Sequence, residues 1–273
     1  MTFDFDKHIN YFLSNLRMLP SAYTETETNR MTLAFFCLAG LELLGATDKV
    51  ISDQNKHDWI DWIYAQQILP TKDNENELNK THCGFRGSSW SGRSFQPHAS
   101  HCEYQPYDSA HIANTYTALM NLLILGDDLS RVNRKAVLTT IRNLQQADGS
   151  ISPTDGSLER DVRFIYCASA ISYMLNDWSA IDVESTIEYI KRLQSYEYAI
   201  GQSPGEESHG GSTFCGVGAL TLMNHQQDGL LNKEKLIKWC VSRQSSGFEG
   251  RPNKKADTCY CFWIGATLKV IFL

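Results

Sequence analysis

The sequence predicts an all-α protein built as an array of helical hairpins, and three observations carry that expectation. Apolar helical segments with an aromatic followed by small residues recur along the chain. Amphipathic segments closing on Gln and then a Gly turn alternate with them, and period-2 strand signals are lacking. The apolar segments are RMTLAFFCLAGLELL, AHIANTYTALMNLLIL, DVRFIYCASAISYML, GGSTFCGVGALTLM and DTCYCFWIGATLKV. Their aromatics are Phe36, Tyr116, Tyr166, Phe214 and Phe262, and the last three steps are 50, 48 and 48 residues.

The intervening segments, IDWIYAQQ, VLTTIRNLQQADG, TIEYIKRLQSYEYAIG and IKWCVSRQSSGFEG, carry Gln145, Gln194 and Gln244 at steps of 49 and 50. One helix of each pair is apolar on almost every side and the other on a single stripe, the pattern of an inner and an outer helix. Gly149, Gly201 and Gly247 are expected to end outer helices in the left-handed conformation. Ala168, Gly216 and Gly265, after the aromatics, are expected to let inner helices approach closely. Between Phe36 and Tyr116 the step is 80 residues, so a polar loop at about 70–107 interrupts the period with an excess of about 30. Residues 1–273 read as one domain carrying that inserted loop.

With 25 Lys+Arg against 31 Asp+Glu and a net charge of −6, the chain offers no basic stripe for nucleic acid. An acidic start without an apolar leader, and no run of about 18 apolar residues, argue against secretion and a membrane span and for the cytoplasm. The eight cysteines (Cys37, Cys83, Cys102, Cys167, Cys215, Cys240, Cys259 and Cys261) lack paired spacing and are expected as free thiols, mostly small buried residues.

Periodicity alone leaves open whether such hairpins extend as a solenoid or close into a ring. Polar residues at the inner-helix starts favour closure. Five residues before each aromatic stand His111, Asp161, His209 and Asp257, and three before stand Arg163 and Cys259 in two repeats. In a closed array these groups converge on one polar mouth above an aromatic-lined bore, suited to a ligand with an apolar tail and an anionic head. Asp257 and Cys259 offer O and S donors suited to zinc; a helix cap at Asp257 with a packed thiol at Cys259 fits the same spacing. Arg251 and Lys254 flank Pro252 and Asn253 on the approach to that helix, and His209 with Gly210 and Gly211 stands at the equivalent corner of the preceding repeat. Together they form a candidate diphosphate cradle. Taken singly, the two cations also fit solvated surface charge and His209 a satisfied cap.

Five strings, ESHGGSTFCGVGAL, DVRFIYCASAISYML, LILGDDLSRVN, CGFRGSS and GRPNKKADTCYCFWIGATLK, closely resemble the protein prenyltransferase β subunits, nearest to the type I geranylgeranyl branch. The resemblance runs from about residue 5 to the end. It implies an α-α toroid, an α-subunit partner, and transfer of a 20-carbon isoprenoid from geranylgeranyl diphosphate to the cysteine of a C-terminal CaaX tail ending in Leu, as on small GTPases. It also implies zinc, with no requirement for magnesium. Asp257 and Cys259 resemble two of three protein zinc ligands, and His209, Arg251, Lys254 and Tyr260 resemble diphosphate contacts. Gly210 and Gly211 would shape the loop, Phe262 and Trp263 would lie near the lipid, and Pro252, Asn253, Cys261 and Arg163 fall within the same cofactor-binding set. Thr32 stands where the farnesyl enzymes carry Trp, leaving room for the longer lipid, and His111 and Phe164 resemble positions lining the pocket for the last acceptor residue.

Two departures accompany the resemblance: Lys255 stands where the family usually has Pro, and Cys261 where it often has Ser. The family's third zinc ligand is a His about fifty residues beyond the DTC string. With Leu273 as the last residue, the expectation is a shortened chain with two zinc ligands, an unclosed toroid and an exposed apolar flank on its last inner helix. The alternatives are a catalytically silent module that binds isoprenoid or the α subunit, and farnesyl transfer. A terpene cyclase is disfavoured because no DxDD run occurs.

Overall fold

The protein's structure, a computed structural model, describes residues 3–73, 76–77, 79–92, 105 and 107–272. It divides into two compact units, Met1–Thr140 and Ile141–Leu273.

The first unit opens with α1 (Phe5–Arg17), which Asp4 caps by accepting the Lys7 N–H at 3.1 Å. The sequence reading did not foresee this helix, because it lies outside the period. Then follow α2 (Arg30–Leu43), the short α3 (Thr47–Val50) and α4 (Asp53–Ala65). The unit continues with α5 (Ile112–Ile124) and α6 (Arg134–Leu144), the last crossing into the second unit. Helices α1 and α5 both pack on α2, whose Met31, Cys37, Leu38 and Leu41 are buried. A Cβ on Gly40 of α2 would lie 2.6 Å from the Phe12 ring of α1, so this contact requires glycine.

The inserted loop carries two antiparallel ladders of two residues per strand. Strand β1 (Gln67–Ile68) pairs with β4 (Gly84–Phe85), and β2 (Lys72–Asp73) with β3 (Asn76–Glu77). Strands this short have no room for an alternating pattern, so no period-2 signal marks them. Residues 74, 75, 78, 93–104 and 106 of that loop, Cys102 included, lie outside the described residues.

The second unit holds α7 (Val162–Met174), α8 (Val183–Leu193), α9 (Gly210–Leu222), the short α10 (Gln226–Gly229), α11 (Lys233–Val241) and α12 (Thr258–Ile271). The inner helices α7, α9 and α12 pack side by side, with α9 in the middle. Nine residues of α7 and nine of α9 are buried, but only Ile264, Thr267 and Ile271 of α12, so its Phe262 flank faces solvent.

The recurrent Gln is a pin between hairpins. Gln145 accepts the Asp182 N–H at 2.7 Å and donates to the Asp182 carbonyl at 3.0 Å, at the start of α8. Gln194 accepts the Leu231 N–H at 2.8 Å and donates to the Gly229 carbonyl at 2.8 Å, just before α11. Within the first unit Gln67 does the same ahead of α6, accepting the Asn133 N–H at 2.8 Å and donating to the Arg131 carbonyl at 3.2 Å. Gln244, at the matching register, is exposed. Gln194→Ala is therefore expected to destabilise the protein by about 1–3 kcal/mol, two main-chain hydrogen bonds at roughly 1 kcal/mol each plus the groups left bare. Gln244→Ala should stay within about 0.5 kcal/mol. Urea unfolding of the two variants against the parent checks this.

Two sequence expectations need correction. Gly149 is left-handed at φ +89°, but the residue equivalent to it after α8 is Tyr198 at φ +66°, and neither Gly201 nor Gly247 adopts a left-handed φ. The two turns are equal in length, Gln145 bridging Ile151 and Gln194 bridging Ile200, so the left-handed position falls on Tyr198 and Gly201 lies just past the turn. The close approaches between inner helices are made by Gly210 and Gly218. A Cβ on Gly218 would lie 2.9 Å from the Tyr166 ring of α7, and one on Gly210 2.9 Å from Ile264 of α12. Gly216 faces Ile200 instead, and Gly265 has open space around it. Free thiols are found as expected at seven cysteines: Cys37, Cys83, Cys167, Cys215 and Cys240 are buried, Cys259 and Cys261 exposed. No helix among the described residues is long and apolar enough to cross a membrane.

Candidate active site

Four inner helices begin in the same way. His111, Asp161, His209 and Asp257 are the N-caps of α5, α7, α9 and α12, each extended in backbone and each accepting the N–H two residues on. The distances are 3.1 Å from Ala113, 2.8 Å from Arg163, 3.0 Å from Gly211 and 3.0 Å from Cys259. The capping alternative named for Asp257 and His209 is what the structure shows, and His111 and Asp161 cap in the same way. A cap uses only one side-chain atom, and at Asp161 and His209 the second atom meets a further partner, Arg163 and Tyr260.

At His209 the cap fixes the tautomer. Its Nδ1 accepts from Gly211, so the neutral ring carries its proton on Nε2 and donates it to the Tyr260 hydroxyl oxygen at 2.9 Å. The Tyr260 O–H is then free to donate elsewhere. Burial, and next the Arg251 guanidinium, hold the His209 pKa below its ordinary 6.5. Below about 6.5 the unfolded chain takes up a proton that the folded ring resists, and a protonated ring cannot cap. The stability from neutral His209 is therefore complete above 6.5 and is lost as pH falls through 6.5 toward the lowered folded value. Melting temperature followed from about pH 7.5 to about 5.5 should fall more steeply for the parent than for His209→Asn, whose amide oxygen still caps.

Arg251 and Glu207 form an ion pair at 2.8 Å, both partly exposed, which holds the guanidinium beside His209. Pro252 is half-buried, and Asn253 takes φ +61°, turning the chain so that Lys254 and Lys255 stand in solvent before α12. Gly210 donates its N–H to the Gly250 carbonyl at 2.8 Å, tying the start of α9 to this loop. Glu207 and Gly250 escaped the sequence reading. The first lies among polar loop residues, and the second answers to a ring ten residues away.

Asp161 and Asp257 occupy one register but use their second oxygen differently. Asp161 Oδ2 is held by the Arg163 guanidinium at 2.8 Å, with Glu159 3.8 Å away. In α12 that cation is replaced by Cys259, so the Asp257 carboxylate and the thiol stand together at an exposed helix start. The Cys259 N–H keeps Asp257 below the usual carboxylate range, while local burial and then the Asp257 carboxylate push the Cys259 thiol up. A carboxylate beside a thiol favours an incoming cation, whose binding expels the thiol proton. O and S donors suit zinc, and the pair supplies two corners of a tetrahedron. Among the described residues no third His, Cys, Asp or Glu joins them.

Below the helix starts runs an aromatic band. Tyr166 and Phe214 lie 5.5 Å apart, Phe214 and Phe262 5.2 Å, and Trp263 meets Phe214 at 5.2 Å and Phe262 at 5.0 Å. Cys261 is exposed beside it. The second unit thus brings His209, Gly210, Gly211, Arg251, Tyr260, Asp257, Cys259, Phe262 and Trp263 onto the ends of neighbouring elements. Phe164 is buried in α7 beneath the Arg163 guanidinium, 5.8 Å from its ring. In the first unit Thr32 donates its hydroxyl to Asn114 at 3.2 Å, and Phe35 rather than Phe36 meets Tyr116, at 5.8 Å. That unit also contains a cavity of about 620 Å³ lined by Trp59, Trp62, Trp90 and Tyr23, which includes none of the sequence-predicted site residues.

Residues 3–272 match the family model described as prenyltransferase alpha-alpha toroid domain. A geranylgeranyl transferase type-1 subunit beta from Dictyostelium discoideum is 45% identical over 271 residues, covering 97% of this chain and 76% of the relative. One from Arabidopsis thaliana is 41% identical over 280 residues, covering 98% and 72%. The solved structure of Candida albicans protein geranylgeranyltransferase-I complexed with GGPP superposes with a TM-score of 0.83 at 25% identity, covering 99% of this chain and 78% of that one. A chain whose helix starts repeat in one register, and whose whole described length matches this model, belongs to the prenyltransferase alpha-alpha toroid family, alongside its geranylgeranyl transferase type-1 β subunits.

Proposed function

We propose that the chain is the β subunit of a type I protein geranylgeranyltransferase, acting with an α subunit in the cytoplasm as a single toroid domain over residues 1–273. It transfers geranylgeranyl from geranylgeranyl diphosphate to the cysteine of a CaaX tail. The observation that carries this reading is the meeting of His209 and Tyr260, 2.9 Å apart, with Arg251 and Lys254 on the adjoining loop, above an aromatic band. That arrangement suits an anionic head on an apolar tail. The free thiols accord with a reducing compartment.

The chain's residues divide the work. Arg251 exchanges its Glu207 partner for diphosphate oxygens, Lys254 adds a point charge from solvent, and the Tyr260 O–H, released by His209, donates to the same group. As the acceptor sulfur forms its bond to C1 of the isoprenoid, the C1–O bond breaks and its electron pair passes to the diphosphate. These donors stabilise that growing charge. Phe214, Phe262 and Trp263 bury the chain of the lipid at about 0.8 kcal/mol per CH₂ and keep water from C1. Gly210 and Gly211 keep the His209 corner open, Pro252 and Asn253 turn the cationic loop, and Arg163, locked to Asp161, borders the same end of α7. Thr32 leaves space for a 20-carbon chain, and His111 and Phe164 serve the last acceptor residue. Asp257 and Cys259 would hold zinc, which when bound supplies a Lewis acid able to keep a thiol ionised near neutral pH.

The test is transfer by the purified αβ complex to a peptide ending in CaaL, with 15- and 20-carbon diphosphates in competition. Preference for the 20-carbon donor supports the proposal, and preference for the 15-carbon donor replaces it with farnesyl transfer. A second reading, a silent isoprenoid-binding module, is favoured by the two-donor metal pair. It wins if the complex binds geranylgeranyl diphosphate without zinc and transfers nothing.

A further inference from the structure

The loop residue Gly250 is buried, and its φ lies outside the left-handed region, so the backbone conformation does not call for glycine there. Space does. A Cβ on Gly250 would stand 2.1 Å from Tyr260 Cζ, 2.4 Å from Cε1 and 2.5 Å from the hydroxyl oxygen, distances at which either the ring or the loop must move. The Tyr260 ring therefore rests directly on the Gly250 peptide. The carbonyl of the same residue accepts the Gly210 N–H at 2.8 Å, fixing the first residue of the helix that His209 caps. Tyr260 and His209 sit on different helices, and each is located against Gly250: the first by ring contact, the second through the adjoining peptide of Gly210. Their 2.9 Å hydrogen bond and edge-on ring geometry, 74° between planes, depend on both.

We propose that Gly250 is a positioning residue: by lacking a side chain it seats the Tyr260 ring so that its oxygen meets His209 Nε2 and its O–H points to the diphosphate. Gly250 does not touch the ligand. The role rests on the reading of this corner as a diphosphate site, but the seating of Tyr260 against His209 is testable without ligand.

Two readouts on the full chain with its α subunit separate the possibilities. The first is the imidazole ¹⁵N–¹H spectrum, in which His209 Nε2–H is assigned by its loss in His209→Asn. Gly250→Ala should abolish that hydrogen-bonded signal. The second is the affinity for geranylgeranyl diphosphate relative to geranylgeraniol, which should fall by about tenfold or more in Gly250→Ala, the worth of one hydrogen bond to a charged group, with geranylgeraniol unaffected. Tyr260→Ala removes the ring that the new methyl strikes. Gly250→Ala added to Tyr260→Ala should then fold normally and lose no further diphosphate affinity. The inference is overturned if Gly250→Ala keeps the His209 signal, or if its cost is the same with and without Tyr260. If the signal behaves as expected but the parent does not distinguish diphosphate from alcohol, the diphosphate reading fails while the seating of Tyr260 stands.

Discussion

Arg251→Ala and His209→Ala, made separately in the αβ complex, should each slow prenyl transfer by about 10²–10³-fold, the cost of removing one preorganised donor from a site of growing negative charge. The two losses should differ in kind. Arg251 already has a carboxylate partner, Glu207 at 2.8 Å, so its exchange for diphosphate costs one ion pair and makes another. Its contribution should be concentrated on the departing group, lowering kcat with a small change in KM. His209→Ala also loses the cap on α9 and the donor that frees the Tyr260 O–H, so KM should rise along with the fall in kcat. His209→Asn restores the cap without reproducing the Nε2 donor and should recover stability but little rate. Single-turnover kinetics with the same CaaL peptide separate these effects. A change of less than about fivefold for both alanine variants would remove the diphosphate role from this corner.

The second large effect concerns Asp257 and Cys259. Replacing Asp257 with Asn leaves an oxygen to accept the Cys259 N–H, so α12 keeps its cap and the fold should survive with a change below about 1 kcal/mol. The charge is gone, however, and with it the attraction for a cation. Zinc content measured by atomic absorption should drop, and transfer should fall by at least about 100-fold, more than the loss of a supporting residue around a metal usually costs. Cys259→Ala should do the same through the lost sulfur. Removal of metal by a chelator should bring the parent to the level of both variants and leave the variants unchanged. If Asp257→Asn retains stoichiometric zinc and full turnover, the carboxylate is only a helix cap.

The repeat was legible because its period is carried by residues with one physical job each. His111, Asp161, His209 and Asp257 stand in one register because every inner helix must satisfy its first N–H groups, and Gln145 and Gln194 recur because each must pin the hairpin that follows. Helix α1 has no counterpart at that period, and it packs on α2 where the Phe12 ring rests on Gly40. Gly201 misled because the turn after α8 places Tyr198 in the strained position, and a tyrosine announces nothing of the kind in sequence. In the candidate site the hydrogen-bonding capacity of His209, Arg251 and Tyr260 follows from residue type. Their spacing in three dimensions could not, since it depends on Gly250 and on Glu207, whose importance lies in what comes to rest against them.

The bond from Gly210 to the Gly250 carbonyl has a counterpart one hairpin earlier, where Val162 donates to Gln202 at 3.1 Å. Both pass from the first peptide of an inner helix to the loop leading into the next, so each helix holds the loop of its neighbour like a hinge pin. A tilt of α9 therefore carries the Arg251 loop with it, so in the proposed site Phe214 on that helix is mechanically geared to the cations of the loop.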